Sequence, residues 1–132
     1  YDIELIKDYY PLLWKSSIKN NTQNLLKSLK FIQDIDMRNK QGRNALILAC
    51  YHGSLEASKI LLENGANPFT QNHKGTSALM YALDFYSRKS DSRIFKLLLK
   101  NKADITAKDY KGKEIEQYCI EKNCSELIKL LS

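Results

Sequence analysis

The sequence is short of the residues that most site chemistry requires. It holds two histidines, His52 and His73, and three cysteines, Cys50, Cys119 and Cys124, with no Cys-x-x-Cys spacing and no clustered histidines. Zinc binding is therefore not expected. Neither histidine stands in a motif with a nucleophile, and the chain has no phosphate-cradling glycine loop and no G-x-S-x-G elbow. Nothing reads as an enzyme, and no cofactor is implied. No apolar run reaches the roughly 18 residues that a membrane span needs. The chain opens at Tyr1 with neither a methionine nor a charged-then-apolar leader, which leaves a removed signal or a further domain open.

What the sequence does have is self-similarity. At 132 residues, 43% apolar and with a mean hydropathy of −0.46, it fits one globular domain. Gly42 and Gly75 are 33 positions apart, and Gly75 and Gly112 are 37 apart. The neighbourhoods of these glycines agree: G-R-N-A-L-I-L-A-C at 42–50, G-T-S-A-L-M-Y-A-L at 75–83 and G-K-E-I-E-Q-Y-C-I at 112–120. A second run recurs as K-I-L-L-E-N-G-A-N at 59–67, K-L-L-L-K-N-K-A-D at 96–104 and L-I-K-L-L at 127–131. Each pair reads as two short helices, and Gly53 and Asn64-Gly65 supply stop signals for the best-formed one.

This pattern resembles the ankyrin-repeat family, whose signature is T-P-L-H-x-A over a period of about 33 residues. The resemblance implies an all-α solenoid of stacked helix-turn-helix units joined by projecting hairpin loops, here called fingers. Small residues at Ala45, Ala49, Ala78 and Ala82 let inner helices approach closely, with Cys119 in the same slot of the last unit. The units read as 1–38, a degenerate N-terminal cap with a leading helix; 39–71; 72–108, with a four-residue insertion; and 109–132, a C-terminal cap. The family's Thr-Pro-Leu-His stands here as Asn44-Ala45-Leu46-Ile47, Ser77-Ala78-Leu79-Met80 and Glu114-Ile115-Glu116-Gln117. The histidine is lost each time, so its hydrogen bonds to neighbouring fingers are expected to be missing. Glu116 in a usually apolar slot fits a terminal cap.

The first 33 residues are the least regular. Ile3, Leu5, Ile6 and Tyr9 suggest a short helix ending near Pro11, followed by a helix pair at 12–18 and 25–32 with a turn at 20–23. Trp14 reads as the largest core residue of that unit. The insertion falls between Leu83 and Ile94, where D-F-Y-S-R-K-S-D-S is polar and turn-like. Cys50 and Cys119 at small core positions fit reduced thiols and a cytoplasmic location. Cys124, just past a turn, is expected nearer the surface.

One asymmetry points to function. The finger spans 38–43, 71–76 and 108–113 hold Arg38, Lys40, Arg43, Lys74, Lys108, Lys111 and Lys113 against the single acid Asp109, so the whole formal charge excess of +6 falls on them. Family members commonly bind through this surface, and a basic row attracts an acidic partner. Tyr51 and Phe85, read as matching positions near the ends of inner helices, together with Tyr110 on the last finger, are candidate aromatic anchors. His52, read as a turn residue at the end of an inner helix, and His73 complete the partner-binding candidates. The expected function is thus a monomeric, non-catalytic protein-binding module, extending to an inhibitor or immunity protein of an enzyme or toxin. Nucleic-acid binding through the same fingers, or a segment of a longer array, are the alternatives; no recognition helix or stacking motif accompanies the charge.

Overall fold

The structure, a computed structural model, describes residues 3–131, with side chains described from residue 9 onward. Eight helices follow one another: α1 (Ile3–Lys19), α2 (Thr22–Leu29), α3 (Ala45–His52), α4 (Leu55–Glu63), α5 (Ala78–Lys89), α6 (Arg93–Lys100), α7 (Ile115–Glu121) and α8 (Ser125–Ile128), the last continued by a 3-10 turn at Lys129–Leu131. There is no strand among the described residues, only an isolated bridge between Gln71 and Ser77. Consecutive helices pair off, and the pairs stack: α1, α3, α5 and α7 form an inner row, and α2, α4 and α6 an outer one.

Helix α3 shows why the stack forms. Its residues from Ala45 to Cys50 are all buried, which a helix achieves only when neighbours cover every side. Helices α1 and α5 flank it and α4 lies behind. At the end of the row the pattern changes: α7 buries Ile115 and Cys119 but exposes Glu116, Gln117 and Glu121. The caps are local. Asn44 accepts from the Ile47 N–H at 3.0 Å and Ser77 from the Met80 N–H at 3.2 Å, each satisfying an orphan donor of the first turn.

Four sequence expectations are corrected. Helix α1 does not end near Pro11 but runs through it to Lys19. Pro11 removes one helical hydrogen bond, and its own ring is solvent-exposed. Leu13, fully buried, and Ser17 anchor the turns beyond it. The side chains of Ile3, Leu5 and Ile6 lie outside the described ones. Helix α2 starts at Thr22 because Asn21 accepts from the Asn24 N–H at 3.1 Å, earlier than the apolar run suggested. The insertion is not a turn: α5 has 12 residues where α3 has 8, so the extra four make about one helical turn. Cys124 is buried, at 5% exposure, like Cys50 and Cys119. Burial pushes the Cys50 thiol up to about 12 and that of Cys119 to about 11, so both stay protonated and inert. Trp14 is partly buried against the core and donates Nε1–H to the Met37 carbonyl at 3.1 Å.

Candidate functional site

Each finger is closed by the same device. Asn39, Asn72 and Asp109 occupy equivalent positions, and each side-chain Oδ1 accepts two backbone N–H groups: Gln41 and Arg43 on Asn39, Lys74 and Thr76 on Asn72, Lys111 and Lys113 on Asp109, all at 2.9–3.0 Å. Asn and Asp do this because their short side chains mimic a backbone turn. Gly75 has φ +78°, and a Cβ there would stand 2.8 Å from the Asp109 Cα of the next finger, so both conformation and contact require glycine. The fingers are stitched together by the Tyr110 N–H on the Lys74 carbonyl at 2.9 Å and Gln71 Nε2–H on the Lys108 carbonyl at 3.2 Å. Asn44 reaches Thr70 Oγ1 at 2.7 Å. These bonds link the units even though Ile47, Met80 and Gln117 replace the family histidine.

The last finger adds a buried contact. Tyr118 donates its hydroxyl to Asp109 Oδ2. Burial raises the Asp109 carboxyl, but the Tyr118 hydroxyl and the Lys113 and Lys111 amides outweigh it and hold the group below the usual carboxylate range. Burial and that same hydrogen bond push Tyr118 up to about 12. The single finger acid is therefore a structural group, built into the turn.

At the finger bases the inner helices present a cationic and aromatic cluster. The Tyr51 and Tyr81 rings meet edge to face at 5.6 Å between centroids. The Arg43 guanidinium sits 5.9 Å from the first centroid and 5.8 Å from the second. Arg88, from the extra turn of α5, lies 5.0 Å over the Tyr51 ring. It donates to the Tyr51 carbonyl at 2.9 Å and to Asp84 Oδ2 at 3.0 Å. Beside the cluster runs a groove of about 280 Å³ lined by Tyr51, Thr76, Met80, Tyr81, Leu83, Asp84, Asp109, Tyr118 and Lys122. Lys122 Nζ stands 3.9 Å from Asp84.

The residues singled out from sequence divide into groups. Arg43 and Tyr51 meet in the cluster, and His52, exposed at the end of α3, stacks its edge on Tyr51 at 5.0 Å. Partial burial, then the Arg88 and Arg43 charges, lower the His52 pKa below 6.5. Lys40, Lys74, Lys108, Tyr110 and Lys111 are exposed on the fingers, with Tyr110 at 69% exposure and Lys111 5.9 Å from its ring. Arg38 is exposed but folds back onto the Gly42 carbonyl at 2.7 Å. His73 rests its ring on Gly42 of the preceding finger. Lys113 pairs with Glu121 at 2.6 Å and lies 5.3 Å over Tyr118.

Phe85 does not match Tyr51. The period of 33 aligns it with His52 and aligns Tyr51 with Asp84, and the Phe85 ring packs against Gly53, where a Cβ would collide with it. Sequence reasoning missed Tyr81, Tyr118 and Arg88. The first two share a repeat position 37 residues apart and were visible as such. Arg88 was hidden inside the supposed loop.

Among the described residues no group of three or more His, Cys, Asp or Glu side chains could hold a metal ion, and no helix is long and apolar enough to cross a membrane. The family model for ankyrin repeats, in three copies, matches residues 13–109. A putative ankyrin repeat protein of Acanthamoeba polyphaga mimivirus is 32% identical over 99 residues, which is 75% of this chain and 12% of that protein. The DNA replication inhibitor plutonium of Drosophila melanogaster is 45% identical over 51 residues, 39% of this chain and 28% of that protein. The ankyrin repeat and KH domain-containing protein mask-1 of Caenorhabditis elegans is 31% identical over 105 residues, 74% of this chain and 4% of that protein. The chain thus spans only a small part of the length of these relatives. Its helix pairs, its finger turns and this match agree, and the chain belongs to the ankyrin-repeat family, whose repeats are generally protein–protein interaction modules and typically non-catalytic.

Proposed function

We propose that this chain holds an acidic protein partner against its basic fingers and the concave face of its inner helices. The observation that carries the reading is the lack of neutralisation on the fingers. Of their cations only Lys113 forms an ion pair with a described residue, while Arg38, Lys40, Arg43, Lys74, Lys108 and Lys111 form none. Asp109, the one acid there, is tied into its turn. A field of one sign on a stitched, rigid row raises the encounter rate with an opposite charge and falls off with salt. In this reading the units are 1–38, 39–71, 72–108 and 109–132, and the module acts as a cytoplasmic monomer.

An inhibitory outcome, in which a bound enzyme or toxin is occluded, draws support from the stretch of likeness to a protein named as a replication inhibitor. The test is a capture experiment from lysate of the source organism, with wild type beside a variant carrying Lys40→Glu, Lys74→Glu, Lys108→Glu and Lys111→Glu. The captured protein is then purified and titrated at low and high salt. Binding that is lost in the variant and weakens with salt supports the reading. Equal binding by both chains overturns it. Retention on RNA or DNA with a steep salt dependence would replace the protein partner with a nucleic acid.

A further inference from the structure

We propose, resting on that protein-binding reading, that the cleft formed by Arg43, Tyr51 and Tyr81 takes a carboxylate side chain of an extended peptide segment, whose neighbouring apolar side chain enters the adjoining groove. The cleft is preformed. The three groups lie at the corners of a near-equilateral triangle with sides of 5.9, 5.8 and 5.6 Å, so the guanidinium is held by two rings rather than by hydrogen bonds. Arg43 is only half-buried, and its guanidinium has no hydrogen bond or ion pair to a described residue. Five N–H donors in a rigid plane are thus positioned and uncommitted, which is the geometry a carboxylate accepts in bidentate fashion.

The neighbours fix the sign of the guest. Arg88 lies over the same Tyr51 ring, and its own donors are partly used on Asp84 and the Tyr51 carbonyl. Arg88 and Lys122 share the one Asp84 carboxylate, so this trio keeps a net positive charge beside the site. His52 beside them has a pKa lowered first by partial burial and then by the charges of Arg88 and Arg43. The groove next to the cleft shares Tyr51 and Tyr81 as walls, with Met80 and Leu83 buried beneath and Tyr118 beyond. Of its two acids, Asp84 is paired with Arg88 and Lys122, and Asp109 is tied to the Tyr118 hydroxyl and its own turn. About 280 Å³ with such walls suits one large apolar side chain rather than a second charge. On an extended chain, side chains two residues apart point the same way and stand about 7 Å apart. The recognised unit is therefore an acidic residue followed or preceded, two positions away, by Leu, Phe or Trp.

Selection of a random short-peptide library displayed on phage against the purified chain tests this. Enriched peptides are expected to carry Asp or Glu two positions from Leu, Phe or Trp. Their affinities, read by fluorescence anisotropy, are expected to fall about tenfold or more with Arg43→Lys, which keeps the charge but not the plane, and less than about threefold with Lys74→Ala on an exposed fingertip. Circular dichroism and melting curves establish that both variants fold. No enriched peptide, enrichment without an acid, or an Arg43→Lys affinity equal to wild type overturns the inference. A captured protein that binds through the fingers yet ignores Arg43→Lys removes this cleft alone. One that ignores the four-lysine reversal removes the wider reading.

Discussion

Helices α3 and α5 begin alike and end differently. Both start on a capped first turn and place small residues at the same two slots, Ala45 and Ala49 in one, Ala78 and Ala82 in the other. Helix α3 stops at Gly53 with φ +75°, whereas α5 continues one turn further to Ser90 with φ +56°. The difference shows how a repeat stack absorbs an insertion. Four residues extend the inner helix by slightly more than one turn and so nearly preserve its facing side. The surplus lands beyond the end of α3, where it makes contacts in both directions. Arg88 reaches back to the Tyr51 carbonyl, an acceptor in the last turn of α3, and the Tyr86 hydroxyl reaches forward to Glu126 at 3.3 Å.

The sharpest way to break the comparison is Gly53→Ala. The left-handed backbone resists a Cβ, and the Phe85 ring occupies its place, so unfolding free energy should fall by about 3 kcal/mol in a urea titration. With Phe85→Ala already in place, the same change should cost only about 1–2 kcal/mol, the backbone share. Next, deleting 86–89 restores the length of α3. The shortened chain should fold, with a lower melting temperature through the lost Arg88 and Tyr86 bonds. Deleting Ser87 alone turns the rest of the helix out of phase and should lower the melting temperature further than the four-residue deletion does.

Arg88→Ala isolates one contact of the added turn. Its group is exposed, so the cost should be no more than about 1 kcal/mol. A clearer readout is His52 by NMR titration. Its folded pKa lies below 6.5, through partial burial and then the Arg88 and Arg43 charges, so the unfolded chain takes up a proton first as pH falls. Stability is therefore full above about pH 6.5 and declines below it until the folded pKa is passed. Removing Arg88 should move the His52 pKa up and shrink that decline. An unmoved His52 would show that Arg88 does not hold its place over Tyr51. The smallest expected effect is Ser90→Gly, a gain of about 0.5 kcal/mol from relieving the left-handed serine, offset in part by the greater freedom of glycine when unfolded.

The repeats were legible because glycine, alanine and leucine recur together, and each has a steric job that no other residue type does as well. The insertion was misread because polar composition separates exposed from buried surface, not helix from loop; D-F-Y-S-R-K is polar and still helical. Pro11 was misread for the opposite reason. A residue that usually ends helices is tolerated here, where its ring is exposed and the turns beyond it are anchored by Leu13 and Ser17. The basic fingers were plain in the sequence, but the pairing of Arg43 with two tyrosines was not. It depends on Tyr51 and Tyr81 coming from the inner helices of neighbouring units, and only the stacking of α3 on α5 brings them together.

The turn held by Asn39, Asn72 and Asp109 separates two kinds of positions. Each of these side chains, with its glycine, shapes the finger through backbone groups, and a backbone amide is the same whatever side chain it carries. The tip residues between them, Lys40 and Gln41, Lys74, Tyr110 and Lys111, contribute little to the frame beyond their peptide groups, whereas His73 also rests its ring on Gly42. The molecule can therefore change what it displays at its tips independently of what keeps it folded, so variation in binding preference need not draw on its stability.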